Sequence, residues 1–230
     1  MKIIIVILFI LFILFILFIL FILFILFILF VSACNEHEDK PKDDFYSITN
    51  TINNIKLSQV STSAILMFGD SITQGLNHNG LHFEYVNLGI GGDTVNGISK
   101  RIKEVNISKY KAVFIEIGTN NLLAGETGSK LGGDIAELIN YTASKTKKIY
   151  ISQIIIPNRD KIKQIAKDAE LADIKVKNAC SKHSNCEISP LPEGMIGEQG
   201  LKPEFSLDDG IHFNVEAYKL WKIKLNNAIG

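Results

Sequence analysis

The sequence predicts an α/β fold, a parallel sheet of about five strands covered by helices on both faces. Three observations carry this. From Ser63 onward, short apolar runs alternate with longer amphipathic stretches, the pattern of strand–helix units that build a parallel sheet. Ile149-Tyr150-Ile151 and Ile154-Ile155-Ile156 are rich in β-branched residues, as a strand buried on both faces would be. Glycine-rich polar motifs directly follow the first three apolar runs, and in such sheets ligands bind beyond the carboxyl ends of the strands.

The elements follow in order. Lys2 precedes an unbroken apolar run of 29 residues, Ile3 to Val31, most of it the triplet Phe-Ile-Leu repeated. The run ends in Val31-Ser32-Ala33-Cys34, and small residues directly before a cysteine resemble the lipobox of bacterial lipoprotein signal peptides. That resemblance implies cleavage before Cys34 and lipid on its thiol and new amino group. The alternative is an uncleaved membrane helix. At about 1.5 Å per residue the run exceeds a ~30 Å hydrocarbon core, and it is longer than the ~7–15 apolar residues usual in a leader. Either reading anchors the protein to a membrane of a bacterial cell envelope, with the soluble part outside the cytoplasm. Residues 1–34 are therefore set apart as leader or anchor. Residues 35–62 are a charged tether and N-terminal segment, and 63–230 are the folded domain.

Asn35 to Asp44 is charged, carries Pro41 and reads as a solvated tether. Phe45 to Val60 has scattered apolar positions and fits a helix lying against the domain. Strands are predicted at Ala64–Phe68, Phe83–Leu88, Ala112–Ile117, Lys148–Ile156 and Cys186–Ile188. Helices are predicted at Val95–Val105, Lys130–Ser144, Lys161–Ser181 and Val215–Ala228. In the third of these helices Ile162, Ile165, Ala166, Ala169 and Ala172 space out as a buried stripe.

Charge and cysteine usage narrow the partners. Without Lys2 the chain has 23 basic and 24 acidic residues, so no basic excess points to nucleic acid. The 196 residues after Cys34 suffice for one domain with a substantial core. If Cys34 carries lipid, Cys180 and Cys186 remain, separated by five residues. An oxidising compartment would let them pair, and two unrelated thiols are the alternative. Oligomeric state has no signal in the sequence.

Four motifs carry chemistry. Ser71, in Gly69-Asp70-Ser71-Ile72-Thr73-Gln74-Gly75, follows an apolar run; it is a nucleophile candidate if a base takes its proton, and otherwise caps a helix. It is not the Gly-x-Ser-x-Gly elbow, because Thr73 stands at the last glycine. His212, in Asp209-Gly210-Ile211-His212, is the candidate base, with Asp209 three residues earlier to fix its tautomer. Asn214 reads as the cap of the final helix. The oxyanion needs aimed, uncharged donors, and three are available: the Gly92 N–H, the Asn120 side-chain amide and the Ser71 N–H. Asp93 is expected to cap the helix after Gly92. Gly89-Ile90-Gly91-Gly92-Asp93-Thr94 fails the dinucleotide pattern, since Thr94 replaces its last glycine.

These stretches closely resemble blocks I, II, III and V of the SGNH (GDSL-type) hydrolases, and in particular their acetylhydrolase-like branch. The resemblance spans roughly Ala64 to Trp221. It implies a three-layer α/β/α, flavodoxin-like fold with a shallow open site and no metal or cofactor. It also implies a serine esterase with Ser71, Asp209 and His212 as catalytic residues and Ser71, Gly92 and Asn120 as the oxyanion hole. The expected substrate is a small-molecule or glycan ester, with carbohydrate O-acetyl groups first and long-chain lysophospholipid or thioester second. A non-catalytic binding lipoprotein of the same fold is a third reading. No family signature lies between Ile155 and Leu201, and an acyl groove would have to be built by Pro190–Pro203. His78 and His82, four apart, are a weak metal pair separated by Gly80; lining one wall of the active-site mouth is the other reading. Glu116, inside a strand, is unusual for a core position; a lysine at the sheet end is one candidate partner, and the sequence assigns it no role.

Overall fold

A computed structural model describes residues 14–25, 41–158 and 162–230, with side chains from Phe45 onward in the second of these. Cys34, most of the predicted leader and tether residues 35–40 lie outside the described residues, as does Lys161. The chain divides into two compact units, Met1–Phe45 and Tyr46–Gly230. In the first, residues 14–25 form a helix, α1, whose side chains are exposed. Among the described residues no helix is long and apolar enough to cross a membrane.

Helix α2 (Pro41–Gln59) begins within the predicted tether. Proline fits the first turn of a helix, where its missing N–H costs nothing, so Pro41 opens the helix instead of belonging to the tether. The second unit is built on β1 (Ile65–Phe68), β2 (Tyr85–Asn87), β3 (Ala112–Ile115), β4 (Ile149–Ser152) and β5 (Cys186–Ser189). All pairings are parallel and the order is β2-β1-β3-β4-β5. Both faces are covered. Leu66, Phe68, Val113, Ile115, Ile149 and Ile151 join one buried cluster, with α4 (Val95–Glu104), α6 (Gly128–Ala143) and α7 (Ile162–Cys180). Ile65, Met67, Ala112 and Phe114 join the other, with Trp221 and Leu225 of α8 (Val215–Ile229). Successive residues of a strand point to opposite faces, so strands buried on both read as continuous apolar runs.

The predicted strand Lys148–Ile156 ends at Ser152. Ser152 is opposite Ser189, the last pair of the sheet's far edge. Beyond it the backbone turns to other partners: the Ile155 carbonyl accepts from Thr119 Oγ1 (2.9 Å) and the Ile156 carbonyl from the Leu201 N–H (2.7 Å). The apolar residues there are core, and Ile154 and Ile155 are buried without being strand. Two short helices, α3 (Ser71–Gln74) and α5 (Thr119–Leu123), start inside the motifs. Pro190–Pro203 holds a two-stranded hairpin, β6 (Ile196–Gly197) and β7 (Gly200–Leu201). The Cys180 and Cys186 sulfurs are bonded at 2.08 Å, joining the end of α7 to the start of β5.

Candidate active site

Ser71 is the first residue of α3, immediately beyond β1. Asp70 caps this helix by accepting the Ile72 N–H at 2.9 Å, which leaves the Ser71 hydroxyl free for another partner. That partner is His212, whose Nε2 lies 2.8 Å from Ser71 Oγ. On the other side of the ring, Nδ1 lies 2.5 Å from Asp209 Oδ2. The second oxygen of Asp209 accepts the N–H groups of Ile211 (2.8 Å) and His212 (3.0 Å). Burial pushes the Asp209 carboxyl up. The imidazole, these two N–H groups and the imidazole's charge outweigh it, and hold the group at about 2. Asp209 therefore stays ionised until pH falls to about 2, and throughout the neutral range it can fix the tautomer of His212.

The loop around the histidine is locked from both ends. Gly210 has φ +68°, and a Cβ there would stand 2.3 Å from the Asn158 carbonyl oxygen, so only glycine fits. The Asn158 N–H donates to the Gly210 carbonyl at 2.7 Å, tying this loop to the segment after β4. Beyond the histidine, Asn214 caps α8 by accepting the Ala217 N–H at 3.1 Å.

Ser71, Gly92 and Asn120 are linked through their neighbours. Asn120 Nδ2 donates to the Asp93 carbonyl oxygen (3.0 Å) and reaches Asp70 Oδ2 (3.2 Å), so one amide bridges the residue before Ser71 and the residue after Gly92. Gly92 has φ +76° and open space where a Cβ would be. The turn's own hydrogen bonds use the Asp93 N–H, to Ile90 O at 3.0 Å, and the Gly91 N–H, to Gln74 Oε1 at 2.8 Å. The Gly92 N–H stands outside them. The Asn120 amide thus ties the turn that carries Ser71 to the Gly92 turn, and the Ser71 hydroxyl is itself bonded to an imidazole, the kind of arrangement that acyl transfer uses.

Asp93 does not cap the following helix. Thr94 occupies the cap position, and Val95 donates its N–H to Asn121 Oδ1 at 3.2 Å. The Asp93 carboxylate instead turns inward to Arg101, with Nη2 at 2.5 Å and Nε at 3.2 Å. Arg101 Nη1 also donates to the Leu88 carbonyl at 2.7 Å, so a buried ion pair braces the Gly92 loop from behind. Burial pushes the Asp93 carboxyl up, against the pull of the guanidinium. Sequence reasoning missed Arg101, whose one signal is a cation next to the apolar stripe Val95, Ile98 and Ile102 of α4.

Among the described residues Glu116 has no lysine partner. It is buried beneath the nucleophile turn, where Thr73 Oγ1 donates to its Oε2 at 2.9 Å and the Asp70 carboxyl is hydrogen-bonded to its own. Burial first, and then the charge of Glu116, push Asp70 well above the carboxylate range. Burial also raises Glu116, against hydrogen bonds from Thr73 and Asp70. Two buried carboxyls in contact cannot both ionise, so the pair retains a proton. Tyr218 of α8, also unforeseen, donates its hydroxyl to the Ile72 carbonyl at 2.8 Å.

His78 packs its ring on Tyr85, centroids 4.3 Å apart, and the His82 N–H donates to Asn226 Oδ1 at 2.9 Å. Among the described residues no group of three His, Cys, Asp or Glu could hold a metal ion.

Residues 67–220 match the model of the GDSL-like lipase/acylhydrolase family, which includes every residue of this site. The chain belongs to that family. It is a hydrolase acting on esters, and its nearer likenesses agree with this. Platelet-activating factor acetylhydrolase IB subunit alpha2 of Gallus gallus is 26% identical over 165 residues, 67% of this chain and 70% of that protein. Among solved structures, a GDSL-like lipase from Bacteroides thetaiotaomicron superposes with a TM-score of 0.66 at 19% identity, covering 80% of this chain and 96% of its own. A psychrotrophic esterase from Pseudoalteromonas sp. gives a TM-score of 0.58 at 17% identity, covering 73% and 96%. These structures share the acylhydrolase's three-layer fold.

Proposed function

We propose that this acylhydrolase is a membrane-tethered serine esterase of the cell envelope that removes short acyl groups, O-acetyl esters of carbohydrates first among them. The observation that carries the catalytic reading is the unbroken chain Ser71 Oγ–His212 Nε2 (2.8 Å) and His212 Nδ1–Asp209 (2.5 Å). Ser71 Oγ attacks the ester carbonyl while His212 takes its proton. The oxyanion is held by the N–H groups of Ser71 and Gly92 and the Asn120 amide, and His212 then gives the proton to the leaving alcohol. Water attacks the acyl-enzyme with His212 again as base, releasing the acid and restoring Ser71. Losing one oxyanion donor typically costs ~2.7–4 kcal/mol of transition-state stabilisation.

Two features favour short acyl groups. The Ser71–His212–Asp209 line is open, with the Asp209 and His212 side chains more than a third exposed. Leu191, Met195 and Leu201 of the Pro190–Pro203 stretch turn into the core, so their apolar surface is not offered to an acyl chain. The longer-chain reading has one observation of its own: a groove between loop 77–80 and α8, where Val215, Tyr218 and Ile223 give apolar surface beside Asn77, Lys219 and Lys222. The Cys180–Cys186 bond supports an oxidising compartment, and with the apolar tract and Cys34 it supports the envelope location.

The full chain in detergent is expected to hydrolyse p-nitrophenyl acetate and to be labelled by a fluorophosphonate, and Ser71→Ala is expected to lose both. Retained labelling in Ser71→Ala overturns the nucleophile. Faster turnover of the octanoate than the acetate ester overturns the short-acyl reading. Intact mass of protein extracted from bacterial membranes decides the anchor: an uncleaved, unlipidated chain overturns lipid on Cys34.

A further inference from the structure

Helix α2 is packed the wrong way round for a helix on a water-soluble surface. Toward the domain it turns polar side chains: Thr49 and Asn53 are 8% and 2% exposed, and Lys56 Nζ donates to Asn53 Oδ1 and the Asn87 carbonyl, both at 3.1 Å. Among its described side chains, Leu57 of the last turn joins the apolar core, as does Val60 just beyond the helix. On an adjoining face it holds Ile48, Ile52 and Ile55 outward, 58%, 46% and 53% exposed. Spacings of four and three residues put these isoleucines in one stripe. From Phe45 to Ile55 there is no Asp, Glu, Lys or Arg, and the ammonium of Lys56 is drawn to the domain.

We propose that the Ile48–Ile52–Ile55 stripe of α2 is a docking face for a lipid bilayer, lying in the headgroup boundary of the membrane that holds the chain's N-terminal segment. This rests on the membrane-tethered reading above. Nine residues separate Val31, the end of the apolar tract, from Pro41, the start of α2. The ten residue-to-residue steps from Val31 to Pro41 span at most about 36 Å when fully extended, so α2 begins within that distance of the anchor under either form of it. A helix kept this near a bilayer, with an apolar stripe and no charged residue from Phe45 to Ile55, lowers its free energy by burying the stripe in the boundary region. The attraction is apolar and not electrostatic, so anionic lipid is not required and salt does not weaken it.

The full chain is reconstituted into phosphatidylcholine vesicles with brominated acyl chains, carrying either Ile52→Trp or, as a control on α7, Ile174→Trp. Ile174 is 49% exposed and off the stripe, and the native Trp221 is buried, a background common to both. Neither position touches the active site, so unchanged hydrolysis of a soluble acetate ester verifies the fold of each variant. The reporter at 52 is expected to lose roughly half or more of its added emission, because interfacial helices sit about 5–10 Å into the boundary. The control is expected to lose little, and high salt to change neither. Equal quenching of the two reporters, with the protein still retained by the vesicles, overturns the docking face and leaves the tether standing. A reporter at 52 shielded from aqueous acrylamide but not reached by bromine assigns the stripe to a second copy, and also overturns it. A chain that fails to stay with the vesicles at all refutes the tether, and the docking face with it.

Discussion

Asp70 and Glu116 give the residue scale its sharpest consequence. The Asn120 amide reaches toward the Asp70 carboxyl, and an oxyanion must compete for that same N–H. A proton kept on the Asp70–Glu116 pair weakens Asp70 as an acceptor, which leaves the amide available when the oxyanion forms. Glu116→Gln removes the neighbouring charge, so Asp70 ionises more readily and holds Asn120 more strongly. The expected outcome is a fall in kcat of about tenfold with KM nearly unchanged, a weakening short of the 10²–10³ that follows complete loss of a donor. Steady-state kinetics on p-nitrophenyl acetate checks it, and an unchanged kcat removes the pair from any part in positioning the donor.

The motif residues were legible because Ser71, Gly92 and Asn120 each follow an apolar run and Asp209–His212 lies in a glycine-marked loop before the final helix, where local backbone chemistry decides what each does. Ser71, Asn120 and Asp209–His212 needed no knowledge of distant partners. Arg101 and Glu116 did: their roles come from Asp93 and Asp70, which only the folded sheet brings to them. The same reason made Asp93 read as a cap, since its carboxylate is adjacent in sequence to a helix but adjacent in space to a guanidinium.

At the scale of elements, α7 is coupled to the end of β4 through one carboxylate. Asp173 Oδ1 accepts the Ile154 N–H at 3.4 Å, and burial pushes its carboxyl up to about 6, against that hydrogen bond and the charge of Lys177. A raised carboxyl binds its proton more tightly in the folded state than in the unfolded chain. Stability therefore falls as pH rises from about 4 to about 6, and the penalty is constant above that. Asp173→Asn keeps the acceptor and removes the charge, so it is expected to stabilise the fold by roughly 1–2 kcal/mol at pH 8 and by nothing at pH 4. Urea unfolding at the two pH values tests this. The strand ends were the least legible elements: Ile154, Ile155 and Ile156 carry a strand's composition, yet their backbone groups pair with Asp173 of α7, Thr119 of α5 and Leu201 of β7, so apolar content alone overran the strand by four residues.

For the whole molecule, the parallel sheet of five strands was legible in the strand–helix alternation but its order was not, and the β6–β7 hairpin is too short for any periodicity to reveal. The Cys180–Cys186 bond closes a loop of five intervening residues. In the chain-entropy account so short a loop stabilises by about 2 kcal/mol. For a domain of this size, reduction is expected to lower Tm by roughly 4–8 °C. Calorimetry with and without a reductant measures it. Activity at 25 °C should persist, because the bond lies between α7 and β5 and touches none of Ser71, Asp209 or His212.

The imidazole and the hydroxyl that it serves are 141 residues apart in the chain. A ribosome that has released Ser71 has still to make the base, the carboxylate that orients it and the helix that clamps both. On the proposed mechanism, every nascent or truncated chain that stops before His212 lacks the proton acceptor, and synthesis is separated in time from the first bond cleaved.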